Sequence, residues 1–313
     1  MRCYSPGKGR SRQPTDGRPS AMRDFEYLQA ENIEKEFGGA TPVRALGGVN
    51  ITVAQGEFAA LVGASGCGKS TLLRILAGLD APTSGRAFFH REDGDELIED
   101  PSRDRAMVFQ SYTSFPWLSV RRNVEFPLLL RPDGGDRAER KAKVDHYLEL
   151  MGLAEFDSQY PNTLSGGMRQ RVAIARTLVN EPGVLLMDEP FGALDAQTRW
   201  QMQDLLLHVW TDNRCTVLFV THDIEEAVYL ADKVYVFSPR PGVIRAVKDI
   251  DFPRPRDPDI KLSEHFKNLQ VQILNVITET VMSAAKERAA AEPGPGDLKK
   301  TLVERHHHGG DGG

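Results

Sequence analysis

The chain has 313 residues, of which 40% are hydrophobic and 27% charged, with a formal net charge of −5. That composition fits one large or two smaller globular domains and excludes global disorder, while the mild acidity gives no overall attraction to nucleic acid or anionic lipid. Three scattered cysteines (Cys3, Cys67, Cys215) suit a reducing cytosol rather than a disulfide or zinc framework, and no apolar run nears the ~18–20 residues of a membrane span or the core of a secretory signal.

Residues 1–22 hold five Lys/Arg against one Asp among Gly, Pro and Ser, and read as a disordered basic tail. From "FEYLQAENIEKEF" a domain runs over 23–253. In it "VNITVAQGEFAALVG" predicts a hairpin around Gly56 that feeds a buried strand. The following "KSTLLRILAGL" places Leu72, Leu73, Leu76 and Leu79 at helical spacing, with Gly78 loosening the end. Between about 112 and 180 the pattern turns helical. There Val144, Tyr147, Leu148 and Met151 mark one face, and Val172, Ala175 and Val179 follow the glycine pair of "LSGGMRQR".

Two short apolar runs, "VLLMDEP" and "TVLFVTHD", flank an amphipathic helix carrying Met202, Leu205, Leu206 and Val209. Strands alternating with helices imply a mostly parallel sheet covered on both faces, an α/β fold. After "DFPRPRDP" a helical extension spans 254–290, its helix running over roughly 261–289 with Leu269, Ile273, Val276, Ile277 and Val281 on one face. Residues 291–313 read as a flexible tail, and their histidines as solvated rather than metal-binding.

The chemistry starts at "GASGCGKST", which fits G-x-x-x-x-G-K-[ST] through Gly63, Gly68, Lys69 and Ser70, between a strand and a helix. Backbone N–H groups of Gly63, Ala64, Ser65, Gly66, Cys67 and Gly68 can converge there on a phosphate. Lys69 would neutralise the β- and γ-phosphates of a bound nucleotide, Ser70 would ligate Mg2+, and Thr71 would reach the α-phosphate. Cys67 is read as a small space-filler, not a nucleophile. In "VLLMDEP" a buried strand ends in two acids, and strand ends of a parallel sheet face the ligand crevice. Asp188 is the expected Mg2+ residue and Glu189 the expected general base.

"LSGGMRQR" places Ser165, Gly166 and Gly167 at a second helix N-terminus, a second anion cradle. Either the chain binds two nucleotides, or two copies pair head to tail with each nucleotide between the loop of one and the cradle of the other.

Over about residues 25–250 the chain resembles the ATP-binding cassette (ABC) ATPases, with the motifs in the family's order. "GASGCGKST" is similar to Walker A, Gln110 in "MVFQ" to the Q-loop glutamine, "LSGGMRQR" to the signature, and "VLLMDEP" to Walker B. "FGALD" with Asp195 resembles the D-loop, and "THD" the switch histidine, His222. The resemblance implies a P-loop NTPase fold with a mostly parallel sheet core, an antiparallel β subdomain and an inserted helical subdomain, binding ATP and Mg2+. It implies that Gln110 contacts Mg2+ or the attacking water, that His222 binds the γ-phosphate and orients Glu189, and that Ser165 and Gly167 hold the γ-phosphate across a dimer. Phe37 stands where the family stacks an aromatic ring on adenine, with Phe25 and Tyr27 nearby as rivals. Met168 departs from the glutamine of many relatives.

"SFPWLSVRRNVEFPL" and "EEAVYLADKVYVFSPRPGVI" resemble the importer branch serving nitrate, sulfonate and taurine, with Ser114-Phe115-Pro116-Trp117 in place of Leu-Leu-Pro-Trp. That implies a homodimer on the cytoplasmic face of the inner membrane, a separate membrane-spanning permease and, indirectly, an extracytoplasmic solute-binding protein. No nucleic-acid partner is expected. Tyr112 to Trp117 would receive the permease's coupling helix. Two rivals stay open: a soluble ABC-type ATPase acting on DNA or ribosomes, against which stands the lack of paired cassettes or inserted coiled coils, and a non-hydrolysing nucleotide sensor, against which stand Glu189 and His222.

Overall fold

The computed structural model describes residues 25–291, apart from 112–113 and 132–133. The expected tail at 1–22, that at 291–313 beyond Ala291, which still belongs to a helix, and Tyr112 of the expected docking segment lie outside the described residues, as do the three adjacent histidines.

Two sheets organise the chain. The first is antiparallel, in the order β2 (Val43–Ala54), β1 (Tyr27–Phe37), β4 (Ser84–Arg91), β5 (Gly94–Leu97). The second has six strands: β10 (Ile244–Asp249), β9 (Lys233–Phe237), β3 (Phe58–Val62), β8 (Thr216–Val220), β7 (Val184–Asp188) and β6 (Arg105–Val108). Its strands are parallel except for β10, which pairs antiparallel with β9 at the edge. Every residue of β3, β7 and β8 is buried, as expected where both faces of a parallel sheet are covered. The edge strand β10 alternates half-buried and exposed residues.

The expected hairpin at Gly56 is not formed. β2 pairs with β1, whereas β3 pairs with β8 and β9, so the turn passes the chain from one sheet to the other. The reason lies in the side chains. β2 buries essentially one face, but "FAALV" is apolar on both and gains most inside the larger sheet. Gly56 has φ 71° and donates its N–H to Thr216 Oγ1 at 2.9 Å.

Helix α1 (Lys69–Leu76) buries Leu72, Leu73 and Leu76 against the sheet but stops before Leu79, which is 41% exposed. Gly78, at φ 73°, closes it in a Schellman arrangement, with Gly78 N–H on Ile75 O and Leu79 N–H on Arg74 O, both 2.9 Å. The inserted helices α2 (Val120–Leu129), α3 (Arg137–Leu150) and α4 (Gly166–Leu178) join one core through Val124, Val144, Tyr147, Leu148, Val172 and Val179. Asp136 starts α3 with a capping box to Glu139. Helices α5 (Ala196–Asn213) and α6 (Ile224–Leu230) pack on the large sheet, α6 over β3 and α5 with Trp210 edge-on to Phe58.

Helix α7 (Glu264–Ala291) anchors to this core through Phe266, Leu269 and Ile273. Val276 and Ile277 are half-buried, but Val281, expected on the same face, is 41% exposed because the helix has run past the body it packs on. Ahead of α7, Arg256 donates to the carbonyls of Val228, Tyr229 and Ala231 at 2.9–3.1 Å, and Arg254 to that of Leu230, so "RPR" closes the C-terminal end of α6. Burial and the neighbouring Arg254 push the Arg256 guanidinium down to about 10, so it stays charged at neutral pH. No described helix is long and apolar enough to cross a membrane.

Candidate functional site

The register of the large sheet assembles the site. Leu61 pairs with Val220, Asp188 with Val220, and Val108 with Met187, so the carboxyl ends of β3, β8, β7 and β6 lie side by side. The Gly63–Gly68 loop, Thr221-His222, Asp188-Glu189 and Gln110 all leave from those ends.

The loop after β3 needs its glycines for different reasons. Gly68 sits at φ 108°, and a Cβ there would lie 2.6 Å from Leu46 Cδ2 and 2.8 Å from the Ala45 oxygen. Lys69, only 4% exposed, folds back so that its ammonium donates to Gly63 O at 2.9 Å and Ala64 O at 3.1 Å. A buried ammonium held on carbonyls at the end of a glycine loop leaves a positive charge whose natural partner is an anion. Ala64, Ser65 and Gly66 line the open part of the loop, and Ser70 and Thr71 follow on the first turn of α1. Cys67 is 1% exposed and burial pushes its thiol up, which suits a filler and not a nucleophile.

Asp188 owes its direction to strand alternation. Val184 and Leu186 point into the core shared with α1, and Leu185 and Met187 into the opposite one. Asp188 continues the first series, and its Oδ1 accepts from Ser70 Oγ at 2.8 Å. Burial raises its pKa, partly offset by the Ser70 hydrogen bond. A buried carboxylate and a hydroxyl, both hard oxygen donors, fit Mg2+, which takes few protein ligands and completes its shell with phosphate and water.

Glu189 breaks the strand with φ 43° while its N–H bonds Val220 O at 2.9 Å. Its Oε2 accepts from Gln110 Nε2 at 3.2 Å and stands 3.2 Å from His222 Nδ1. Left-handed backbone at a non-glycine residue costs of order 1 kcal/mol and here aims the carboxylate between two polar partners. Behind His222, Thr221 donates to the buried Glu226 at 2.7 Å, and Arg199 approaches Glu226 at 3.7 Å and Asp223 at 3.4 Å. Burial raises the Glu226 pKa.

The glycine pair at the start of α4 meets the start of α5. Ser165 caps α4 and accepts from Met168 N–H at 3.3 Å. Gly166 begins the helix, and a Cβ on Gly167 would lie 2.5 Å from Thr198 Cγ2. Asp195 caps α5 on the same Thr198, accepting from its N–H at 3.0 Å and its hydroxyl at 2.7 Å. Those bonds hold the carboxyl below the usual range. Among the described residues no hydrogen bond joins this group to the glycine loop or to Glu189. Of the three aromatics near the start, Phe25 is 3% exposed, Tyr27 stacks on His90, and Phe37 presents its ring, 42% exposed, with Lys35 Nζ 5.2 Å from its centroid.

Sequence reasoning missed the support behind His222. Glu226 lies four residues beyond the histidine, an acid at a helical position that faces the core, and Asp223 is an N-cap. The cap was legible as Asp before "IEEAV"; the ion pair to Arg199 was not, since that residue comes from α5.

Comparison with known proteins gives a family. The model described as "ABC transporter" matches residues 46–192. The nitrate import ATP-binding protein NrtD of Synechocystis sp. is 50% identical over 228 residues, 72% of this chain and 84% of that protein. The aliphatic sulfonates import ATP-binding protein SsuB of Bacillus cereus is 42% identical over 248 residues, 79% and 94% of the two chains. A solved dimeric ATP-binding cassette in a post-hydrolysis state, bound to ADP and Pi, superposes with TM-score 0.63 at 32% identity, over 72% of this chain and all of that one. The chain belongs to the ATP-binding proteins of ABC transporters, the ATPases that its glycine loop, its Asp188–Glu189 strand end and its two-sheet fold describe.

Proposed function

We propose that the chain is the ATP-hydrolysing subunit of an importer for a small anion of the nitrate or sulfonate class, acting as a homodimer on the cytoplasmic face of the membrane. Separate permease subunits and an extracytoplasmic solute-binding protein complete the assembly. The observation that carries the reading is the placement of Glu189 between Gln110 and His222, one residue beyond the Asp188–Ser70 pair.

In this reading Gly63–Thr71 grip the phosphates and Phe37 stacks on adenine. Ser70 and Asp188, with Gln110 nearby, hold Mg2+, which when bound neutralises charge on the phosphates. Glu189 orients and deprotonates the attacking water, and His222 fixes the Glu189 carboxylate. Among the described residues no hydrogen bond ties Ser165, Gly167 or Asp195 to that cluster, which supports their acting on the nucleotide of a second copy, and the dimeric cassette with which the chain superposes supports the same arrangement. ATP bridging two copies would be cleaved to let them part.

Permease docking is assigned to Ser114–Trp117. Buried Asn123 ties this segment down, accepting from Phe115 N–H at 2.7 Å and donating to the Phe115, Leu118 and Ser119 carbonyls. Phe115 packs inward on Phe126, but Trp117 is 70% exposed on this rigid base. An exposed tryptophan on an ordered platform suits an interface anchor.

The test is Glu189→Gln. Turnover should fall by roughly 10² to 10⁴ while ATP affinity holds, and the variant should dimerise on ATP, read by light scattering. Undiminished turnover removes the catalytic assignment; a monomer with ATP bound, alone and with permease, removes the shared site.

A further inference from the structure

The segment Ser238-Pro239-Arg240-Pro241-Gly242 joins β9 to β10 and has no part in the chemistry above. It is closed on itself: Ser238 Oγ donates to Pro241 O at 3.1 Å and accepts from Val243 N–H at 3.0 Å. It is also stitched to β2, since Gly242 N–H bonds Ala45 O at 2.8 Å and Gly47 N–H bonds Gly242 O at 2.9 Å.

This strap and the strand before it grip the glycine loop at three points. A Cβ on Gly63 would lie 2.9 Å from both Cβ and O of Phe237. Arg240 donates to the Gly66 carbonyl from Nε at 3.2 Å and from Nη2 at 3.0 Å. Any side chain at Gly242 would collide with the Cys67 carbonyl oxygen. Two successive carbonyls, Gly66 and Cys67, thus face the strap. In a trans peptide the C=O and the following N–H point in opposite directions, so the N–H groups of Cys67 and Gly68 are turned away from the strap, into the loop. The Cys67 N–H meets Ala64 O there at 3.3 Å. N–H groups turned into a glycine loop in this way are the kind that a phosphate bonds.

We propose that Arg240 is a positioning residue for nucleotide binding: by holding the Gly66 carbonyl outward it sets the loop's N–H groups toward the phosphates before ATP arrives. This rests on the reading of Gly63–Thr71 as a nucleotide cradle. Preorganisation of this kind acts on affinity, because ordering cost is removed from binding, and leaves the Glu189 step unaltered.

The experiment uses the full chain and its Arg240→Ala, Arg240→Lys and Arg245→Ala variants, with ATP and inorganic pyrophosphate as competitors of a fluorescent ATP analogue. Arg240→Ala should weaken ATP and pyrophosphate alike by about tenfold, or about 1.4 kcal/mol. Its kcat at saturating ATP should stay within about twofold and its unfolding midpoint within ~2 °C of wild type. Lysine should restore part of the affinity. Arg245, exposed on β10, loses the same charge without touching the loop, and its alanine variant should bind as wild type. Equal binding by wild type and Arg240→Ala overturns the inference alone, as does a kcat loss at unchanged affinity or an equal loss in Arg245→Ala. A wild-type chain that bound no ATP would remove the nucleotide reading and this inference with it.

Discussion

Asp188→Asn should stabilise the nucleotide-free protein while sharply lowering its turnover. The carboxyl is 9% exposed, and burial is the largest influence raising its pKa, with the neighbouring Glu189 charge adding to it. Asparagine has the same shape, and its amide oxygen can still accept from Ser70, so the substitution removes the buried charge and keeps the hydrogen bond. Lost attraction to Lys69 and Arg74 offsets part of the gain, leaving on the order of 1 kcal/mol, typical when a function-bound strain is relieved, or about 2–4 °C in a protein of this size. Because the folded-state pKa lies above the unfolded one, the cost of ionised Asp188 is fully present above the folded value and disappears as pH falls below the ordinary value of 3.8. The stability gap between variant and wild type should therefore be widest near pH 7 and close toward pH 4, followed by thermal unfolding without nucleotide. Turnover should fall by roughly 10³, about 4 kcal/mol of barrier, and Mg2+ with ATP should raise the wild-type midpoint more than the variant's. A variant less stable than wild type at pH 7, or a gap that widens on acidification, refutes the argument from buried charge; turnover near wild type refutes the metal assignment.

Phe37→Ala should weaken ATP by the ~1–3 kcal/mol of one base–aromatic stack and leave pyrophosphate binding unchanged, while Phe37→Trp keeps ATP affinity; an equal loss for pyrophosphate would mean the ring supports the loop instead of the base. Trp117→Glu should leave the ATPase rate of the isolated protein within about twofold but cost ~2 kcal/mol or more of permease affinity, measured by co-purification of the detergent-solubilised assembly; intact assembly would sink the docking assignment.

The sequence exposed those parts of the site whose residues are local. Gly63–Thr71 carries its spacing in nine consecutive positions, and Asp188-Glu189 ends an apolar run, so both were legible before any fold. The turn at Gly56 was not, because which sheet β3 joins is decided by strands more than 150 residues away, β8 and β9, and a buried five-residue strand looks the same in either place. Leu79 and Val281 failed for a related reason. Helical spacing tells which residues share a face but not how far the surface beneath them extends. That Phe37 is exposed and Phe25 buried could not be read from the sequence, and the contact of Arg240 was invisible because the Gly66 carbonyl lies 174 residues upstream.

The division of labour between Asp188 and Glu189 depends on register more than on identity. Both are acids, one residue apart, and side chains alternate across a strand. Pairing of Asp188 with Val220 fixes which acid is last in the ladder, and α1 lies on the face that Val184, Leu186 and Asp188 share. A slip of one residue would send Glu189 toward Ser70 and Asp188 to the opposite face. Complete burial of β7 forbids that slip, since it would carry the Asp188 carboxylate one step inward, to the buried place that Met187 fills. The hydrophobicity of "VLLM" thus does more than fill the core: it determines that the shorter acid meets the Ser70 hydroxyl and that the longer one, turned by a left-handed residue, reaches the gap between Gln110 and His222.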